Sequence, residues 1–251
     1  MTDLPAAIVE TAYTQEVGAL DGALAQPEAP LPEGLYYLDE TVTGIDWDAK
    51  YATEDNFTGR VVEGYAANRV VLTRALAKGL VKARDLAAEA GYRLLIWDAV
   101  RPQRAVDDFV TWSKAPEDGK TKEAHYPRLK KTDLLGEYVA RRSGHSRGRA
   151  VDLTLTDAQG HMIDMGGGFD LMDEKSHHGA KGLTKAQTAN RKFLKKLMKE
   201  AGFEPYSSEW WHYSLKKEPF PDTYFDFEIT PAPVAAREDT PAETAQEEET
   251  P

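Results

Sequence analysis

Ser143-Gly144-His145-Ser146-Arg147-Gly148-Arg149-Ala150-Val151-Asp152 puts an imidazole and a carboxylate on either side of a glycine turn. Both groups suit a borderline cation such as zinc, and catalytic zinc usually takes three such protein ligands and keeps one position for water. The stretch supplies two, and a surface loop leading into a strand also accounts for it. Glu209-Trp210-Trp211-His212-Tyr213 offers the third ligand. His212 can complete a His145, Asp152, His212 set, and Glu209 lies close enough in sequence to stand beside a bound water without ligating the metal. The bland alternative is a strand whose tryptophans pack and whose Glu and His are solvated. The chain has no cysteine, so any metal must be held by His, Asp or Glu.

Other candidates carry less. His177 and His178 are adjacent, and neighbouring side chains diverge in either regular structure; His125 and His161 are weaker still. Met165 to Asp170 contains three consecutive glycines but lacks the strand–GxxxxGK[ST]–helix context of a phosphate loop. Arg101 falls at a strand-to-helix junction, where an arginine is usually solvated or ion-paired.

The elements that must position these groups follow from pattern. Gly34 to Leu38 reads as a first strand, and Asp48 to Gly59 as a long structured loop. From Asn68 to Ala90 the residues Leu72, Leu76, Leu80, Ala83, Leu86 and Ala87 recur at helical steps, and Gly91 stops the helix. Tyr92 to Trp97 suits a central strand, and Pro102 can start a helix through Val106, Phe109, Val110 and Trp112. Lys114 to Arg142 is charged and irregular, with a helix expected near Thr132 to Arg141. Ala150 to Thr156 reads as a strand with Val151, Leu153 and Leu155 in the core and Asp152 facing a cleft. Thr184 can cap a helix to Ala201 whose apolar face carries Phe193, Leu194, Leu197 and Met198, opposite a lysine-rich solvated face. The last strand runs through Leu215; because residues three apart in a strand face opposite ways, a bend or bulge is expected between Glu209 and His212.

At 251 residues and 41% hydrophobic content the chain can bury a sizeable core. Residues 1–33 carry a charge of −6 and residues 231–251 one of −5, which is the whole of the net −11 and leaves 34–230 formally neutral. Both ends are rich in Ala, Pro, Thr and Glu, a composition that favours disorder. The expected organisation is therefore an acidic, disordered N-terminal extension (1–33), one domain (34–230) and an acidic, disordered C-terminal tail (231–251). No run is apolar enough to cross a bilayer, and Met1 to Leu20 lacks the basic and apolar regions of a signal peptide, so a cytoplasmic location is expected. Without a basic face, nucleic acid is not an expected partner, nor is a membrane.

The Ser-x-His-x-x-Gly-x-Ala-x-Asp pattern of Ser143 to Asp152 and the Glu-x-x-His of Glu209 to His212 resemble the zinc D-alanyl-D-alanine dipeptidases of the VanX type. These are related to zinc D,D-carboxypeptidases and the hedgehog signalling domain. Asp48 to Thr53, Asp55 to Gly59, Trp97-Asp98 with Arg101-Pro102, Met172 to Glu174 with Ser176 to His178, and Tyr224 to Phe227 are similar too, so the likeness spans about 35–228. It implies an α+β domain with a central, mainly antiparallel sheet flanked by helices. It also implies one zinc ion per chain on His145, Asp152 and His212, with Glu209 as general base. Arg101 would steady the oxyanion and Asp170 would pair with the substrate's ammonium group, while Ser143, Tyr51 and Tyr65 would line a small pocket. The implied reaction is hydrolysis of D-Ala-D-Ala. A D,D-carboxypeptidase acting on peptidoglycan stem peptides and a non-catalytic zinc-stabilised module are the alternatives, and Glu209 with Arg101 argues against the second. Three departures touch the pocket: Gly144 in place of a serine, Ala99-Val100 in place of Gly-Tyr, and Glu54 in place of an aromatic. The oligomeric state is left open.

Overall fold

The computed structural model describes residues 31–232. Strand β1 (Leu35–Tyr37) leads into a single helical turn, α1 (Leu38–Thr41), then a short strand β2 (Asp46–Trp47) and a long loop with one 3-10 turn. Strand β3 (Val71–Thr73) runs directly into helix α2 (Arg74–Glu89), followed by β4 (Arg93–Asp98) and α3 (Gln103–Lys114). After a short α4 (Lys122–His125) come β5 (Ala150–Thr156), α5 (Lys185–Glu200), β6 (Phe203–Pro205) and β7 (His212–Leu215). Five strands form one sheet in the order β2-β4-β5-β7-β6, antiparallel except for the β2–β4 edge, and β1 and β3 form a separate antiparallel pair. This is the expected α+β class with a mainly antiparallel sheet. Among the described residues no helix is long and apolar enough to cross a membrane.

Local chemistry explains most boundaries. Thr73 accepts from Leu76 N at 3.2 Å and so caps α2, whose buried stripe is Leu76, Leu80, Ala83 and Ala87. Thr184 and Gln187 form a reciprocal capping box at the start of α5. Gly79 lies where α2 crosses β6, and a Cβ there would come within 2.6 Å of the Phe203 ring.

Three expectations are corrected. The helix expected from Asn68 starts at Arg74, because the β-branched run before it pairs with β1. No helix spans Thr132 to Arg141; a 3-10 turn at Lys131–Leu134 gives way to Gly136, whose φ of +104° breaks any helix. The strand expected through Glu209 begins only at His212, after the anticipated bend. Strand β5 is buried on both faces, Thr154 and Thr156 as fully as Leu153, and Asp152 faces a cavity as expected. Helix α2 packs on β4, β5 and β7 and against α5, and loops cover the face that carries Asp152. The expected acidic extension and tail lie, apart from a few residues next to the domain, outside the described residues.

Candidate metal and peptidase site

Three neighbouring strands bring one polar row across the sheet. Ile96 pairs with Leu153, so a regular ladder would set Trp97 opposite Asp152, but a bulge between Ile96 and Asp98 sets Asp98 there instead. On the other side Asp152 pairs with His212. The row is thus Asp98, Asp152, His212, and the turn before β5 folds His145 onto it. That turn closes through Gly148 N to His145 O (2.9 Å) and Arg149 N to Gly144 O (3.1 Å). Gly148 has a φ of +65°, and a Cβ on it would collide with the Thr73 side chain, so glycine is required twice over.

His145 and Asp152 are 2% exposed and His212 is partly covered. One ligand atom from each lies within 4.8 Å of the others: His145 Nε2, His212 Nδ1 and an Asp152 oxygen. The two ring nitrogens approach to 3.1 Å while both face the same carboxylate, at 3.3 and 2.9 Å. His145 donates from Nδ1 to Ala99 O at 2.7 Å, which leaves Nε2 as the lone-pair nitrogen facing inward. Two ring nitrogens converging on one carboxylate, with His145 oriented from behind by a backbone carbonyl, form a donor set that suits a divalent cation. Burial works against the Asp152 charge, but His145 and His212 outweigh it and hold the carboxyl well below the usual range.

Around this triad lies a cavity of about 260 Å³ that includes Tyr51, Arg101, Ser143, Asp170 and Glu209 in its walls. Glu209 sits in the turn before β7, with Oε2 3.7 Å from His212 Nδ1. Burial, then the neighbouring Asp152 charge, push its carboxyl up to about 8 against the pull of His145 and Arg101. Arg101 donates from Nε to Asp98 Oδ2 at 2.8 Å and reaches Asp152 at 3.4 Å, with the rings of Tyr51 and Phe109 about its guanidinium at 4.9 and 5.1 Å. Asp170 is alone among non-glycine described residues in having a positive φ, +54°. Its carboxylate accepts from Tyr51 OH at 2.7 Å, and burial together with the Asp152 charge raises its pKa well above the ordinary value.

Not every sequence candidate reaches the cavity. Ser143 does, its Oγ accepting from His145 N at 3.2 Å. Tyr65 lies behind the wall and donates to Asp98 Oδ1 at 2.6 Å. His177 and His178 lie by a separate surface groove, His125 bonds the Asp170 carbonyl, and the exposed His161 bonds Asp157. Glu54 points to Lys120, away from the cavity, whereas Gly144 is in its wall and Ala99 contributes the carbonyl that orients His145. Asp98 was not singled out among the sequence candidates. Its sequence signal, an acid three residues before Arg101, is the i,i+3 pair that the structure realises.

The family model for Peptidase_M15, described as D-ala-D-ala dipeptidase, matches residues 32–230. The chain belongs to this family. A D-alanyl-D-alanine dipeptidase from Streptomyces coelicolor is 55% identical over 195 residues, covering 77% of this chain and 96% of that one. One from Enterococcus faecium is 52% identical, covering 78% and 98%, and one from Escherichia coli is 36% identical, covering 68% and 79%. The family is one of metallopeptidases, and His145, Asp152 and His212 form a group able to hold the metal of this peptidase.

Proposed function

We propose that this peptidase hydrolyses D-alanyl-D-alanine to two D-alanines, in the cytoplasm, as a single domain over 34–230. His145, Asp152 and His212 would hold one zinc ion. The observation that carries the reading is the shared cavity: the ligand triad, a partly buried base, a partly buried arginine and a buried acid all face one small space. At about 260 Å³ it is smaller than the roughly 300–1,000 Å³ typical of drug-sized ligands. The identity of half or more to two dipeptidases over nearly their whole length supports the same substrate.

Zinc at the triad would acidify a water molecule and polarise the scissile carbonyl. Glu209 takes the proton of the attacking water and hands it to the departing amine, a role open to a carboxyl that burial raises above its ordinary value. Arg101, fixed by Asp98 and resting beside the adjacent rings of Tyr51 and Phe109, presents permanent positive charge to the oxyanion that develops at the carbonyl. Asp170 receives the substrate's ammonium group at the far wall. A blocked or extended amino end would leave that buried carboxyl with only its bond from Tyr51 and no counter-charge, which selects for a free dipeptide.

The deciding assay measures D-alanine released from D-Ala-D-Ala and from a stem pentapeptide, with and without a chelator. Chelator-sensitive release from the dipeptide alone is expected. Comparable release from the pentapeptide would make the protein a D,D-carboxypeptidase, and zinc binding without any release would leave the binding-module reading.

A further inference from the structure

Arg191 lies on the buried face of α5, 4% exposed, on the same side as Leu194 and Met198. Arg69, the other fully buried arginine among the described residues, is paired with Asp39 and Glu40. Arg191 has no carboxylate partner among them. Its Nε donates to Met165 O at 2.6 Å, and its Nη1 to Lys175 O at 2.8 Å and His177 O at 3.3 Å. Burying a cation without a counter-charge costs several kcal/mol relative to an apolar side chain. Carbonyl dipoles recover part of that cost, and only a planar fork of donors reaches three of them.

The three carbonyls flank Asp170 in sequence: Met165 on one side, Lys175 and His177 on the other. Segment 165–177 is therefore an arch with both feet on one guanidinium and the left-handed Asp170 within its span. The same guanidinium lies 5.6 Å from the centre of the Trp210 ring. Trp210 follows Glu209 in the chain, and its backbone N–H donates to Ser176 O at 3.0 Å, tying the arch to the turn that carries the base. Ser176 in turn donates from Oγ to Leu171 O at 2.5 Å.

We propose that Arg191 is a positioning residue: it binds the arch of Asp170 and the turn of Glu209 into one unit, and so sets the spacing between the ammonium site and the general base. The proposal rests on the dipeptidase reading and deepens it. A lysine at 191 keeps the charge but loses the fork, so the two segments can slip relative to each other.

The test is a double-mutant cycle with Arg191→Lys and Asp170→Asn on the metal-loaded protein, reading kcat/KM for D-Ala-D-Ala. Arg191→Lys alone should lose about 100-fold, the loss expected when positioning slips by about 1 Å, with metal content unchanged. In the Asp170→Asn background the same change should add little, because the site it positions is already gone. If the Asn variant turns over too slowly, calorimetric binding of D-Ala-D-Ala to Glu209→Gln protein carries the same cycle. Fully additive losses, or a fall in thermal stability with kcat/KM intact, would overturn the positioning role. Wild-type protein inert towards D-Ala-D-Ala would instead overturn the dipeptidase reading. Arg191→Met serves as a second variant, and if it does not fold the lysine variant still decides.

Discussion

Asp98→Asn isolates what a single buried charge does for this site. Asp98 gives one oxygen to Tyr65 OH at 2.6 Å and the other to Arg101 Nε at 2.8 Å, and the second oxygen also lies 3.4 Å from His145 Nδ1. Its side chain is 2% exposed and that of Arg101 12%, so water does little to screen the pair. Asparagine keeps the shape and can still offer its oxygen to Arg101, since the Tyr65 hydroxyl can turn and accept from the amide. What disappears is the ionic part of the bond to Arg101. The bond to Arg101 stays charge-assisted because the guanidinium keeps its charge, and losing the carboxylate's share of a bond worth about 1.5–3 kcal/mol should cost about 1–2 kcal/mol of restraint on the guanidinium. Removing a transition-state donor outright costs about 2.7–4 kcal/mol, and a loosened one should cost part of that. The expected fall in kcat is about 5- to 30-fold, at a factor of ten per 1.36 kcal/mol. D-Ala-D-Ala turnover is measured beside KM, metal content and the thermal midpoint, with the two last changing little. A kcat within twofold of wild type would show that Asp98 only props the fold and that Arg101 does not depend on it. Asp98→Ala is the poorer probe, because stranding one member of a buried ion pair costs about 3–5 kcal/mol and confuses folding with catalysis.

Further tests follow from the same geometry. Glu209→Gln should lower kcat by about 10²- to 10⁴-fold while the protein keeps one metal ion per chain, and loss of the ion in that variant would make Glu209 a ligand instead. Because Glu209 must be ionised to act, kcat/KM should rise with pH along an acidic limb below the value of about 8 set by burial and Asp152, since a bound cation pulls that carboxyl down. A pH profile that falls across this limb would refute the assignment of base. Chelation should abolish turnover and zinc restore it, as followed by D-alanine release; activity that survives full metal removal would refute the metal reading. Gly148→Ala should cost about 1–3 kcal/mol from its left-handed φ, plus the clash with Thr73, in denaturant unfolding. An unchanged midpoint would show that the turn can be rebuilt.

The chemistry was more legible than the framework. His145, Asp152, His212 and Glu209 stand in two short stretches whose residue types point to metal-assisted hydrolysis, and the structure brings all four together. Asp98 escaped because its importance comes from a bulge that exists only when β4 and β5 are paired; from sequence it is the polar end of a strand. Arg191 escaped because α5 carries so many lysines that one more cation looks solvated, and only three distant carbonyls reveal its burial. The loop from Leu135 to Ser143 was misread in part as helix. Gly136, where the chain turns left-handed, and Glu137 and Tyr138 after it form cavity wall, a role that periodicity cannot detect. Thr154 shares the face of Asp152, and what covers it is the loop segment from Met162 to Phe169 that follows the strand, a placement that alternation alone does not give.

The row Asp98, Asp152, His212 also has a meaning for folding kinetics. Its members come from strands that meet late, Asp152 and His212 being 60 residues apart, and such non-local pairing is slow to form. A slip of one residue between β5 and β7 would carry His212 to the opposite side of the sheet and seat an apolar neighbour against the metal. The ligand set therefore exists in one register alone, so an ion that captures it discriminates the correctly threaded chain from its near misses.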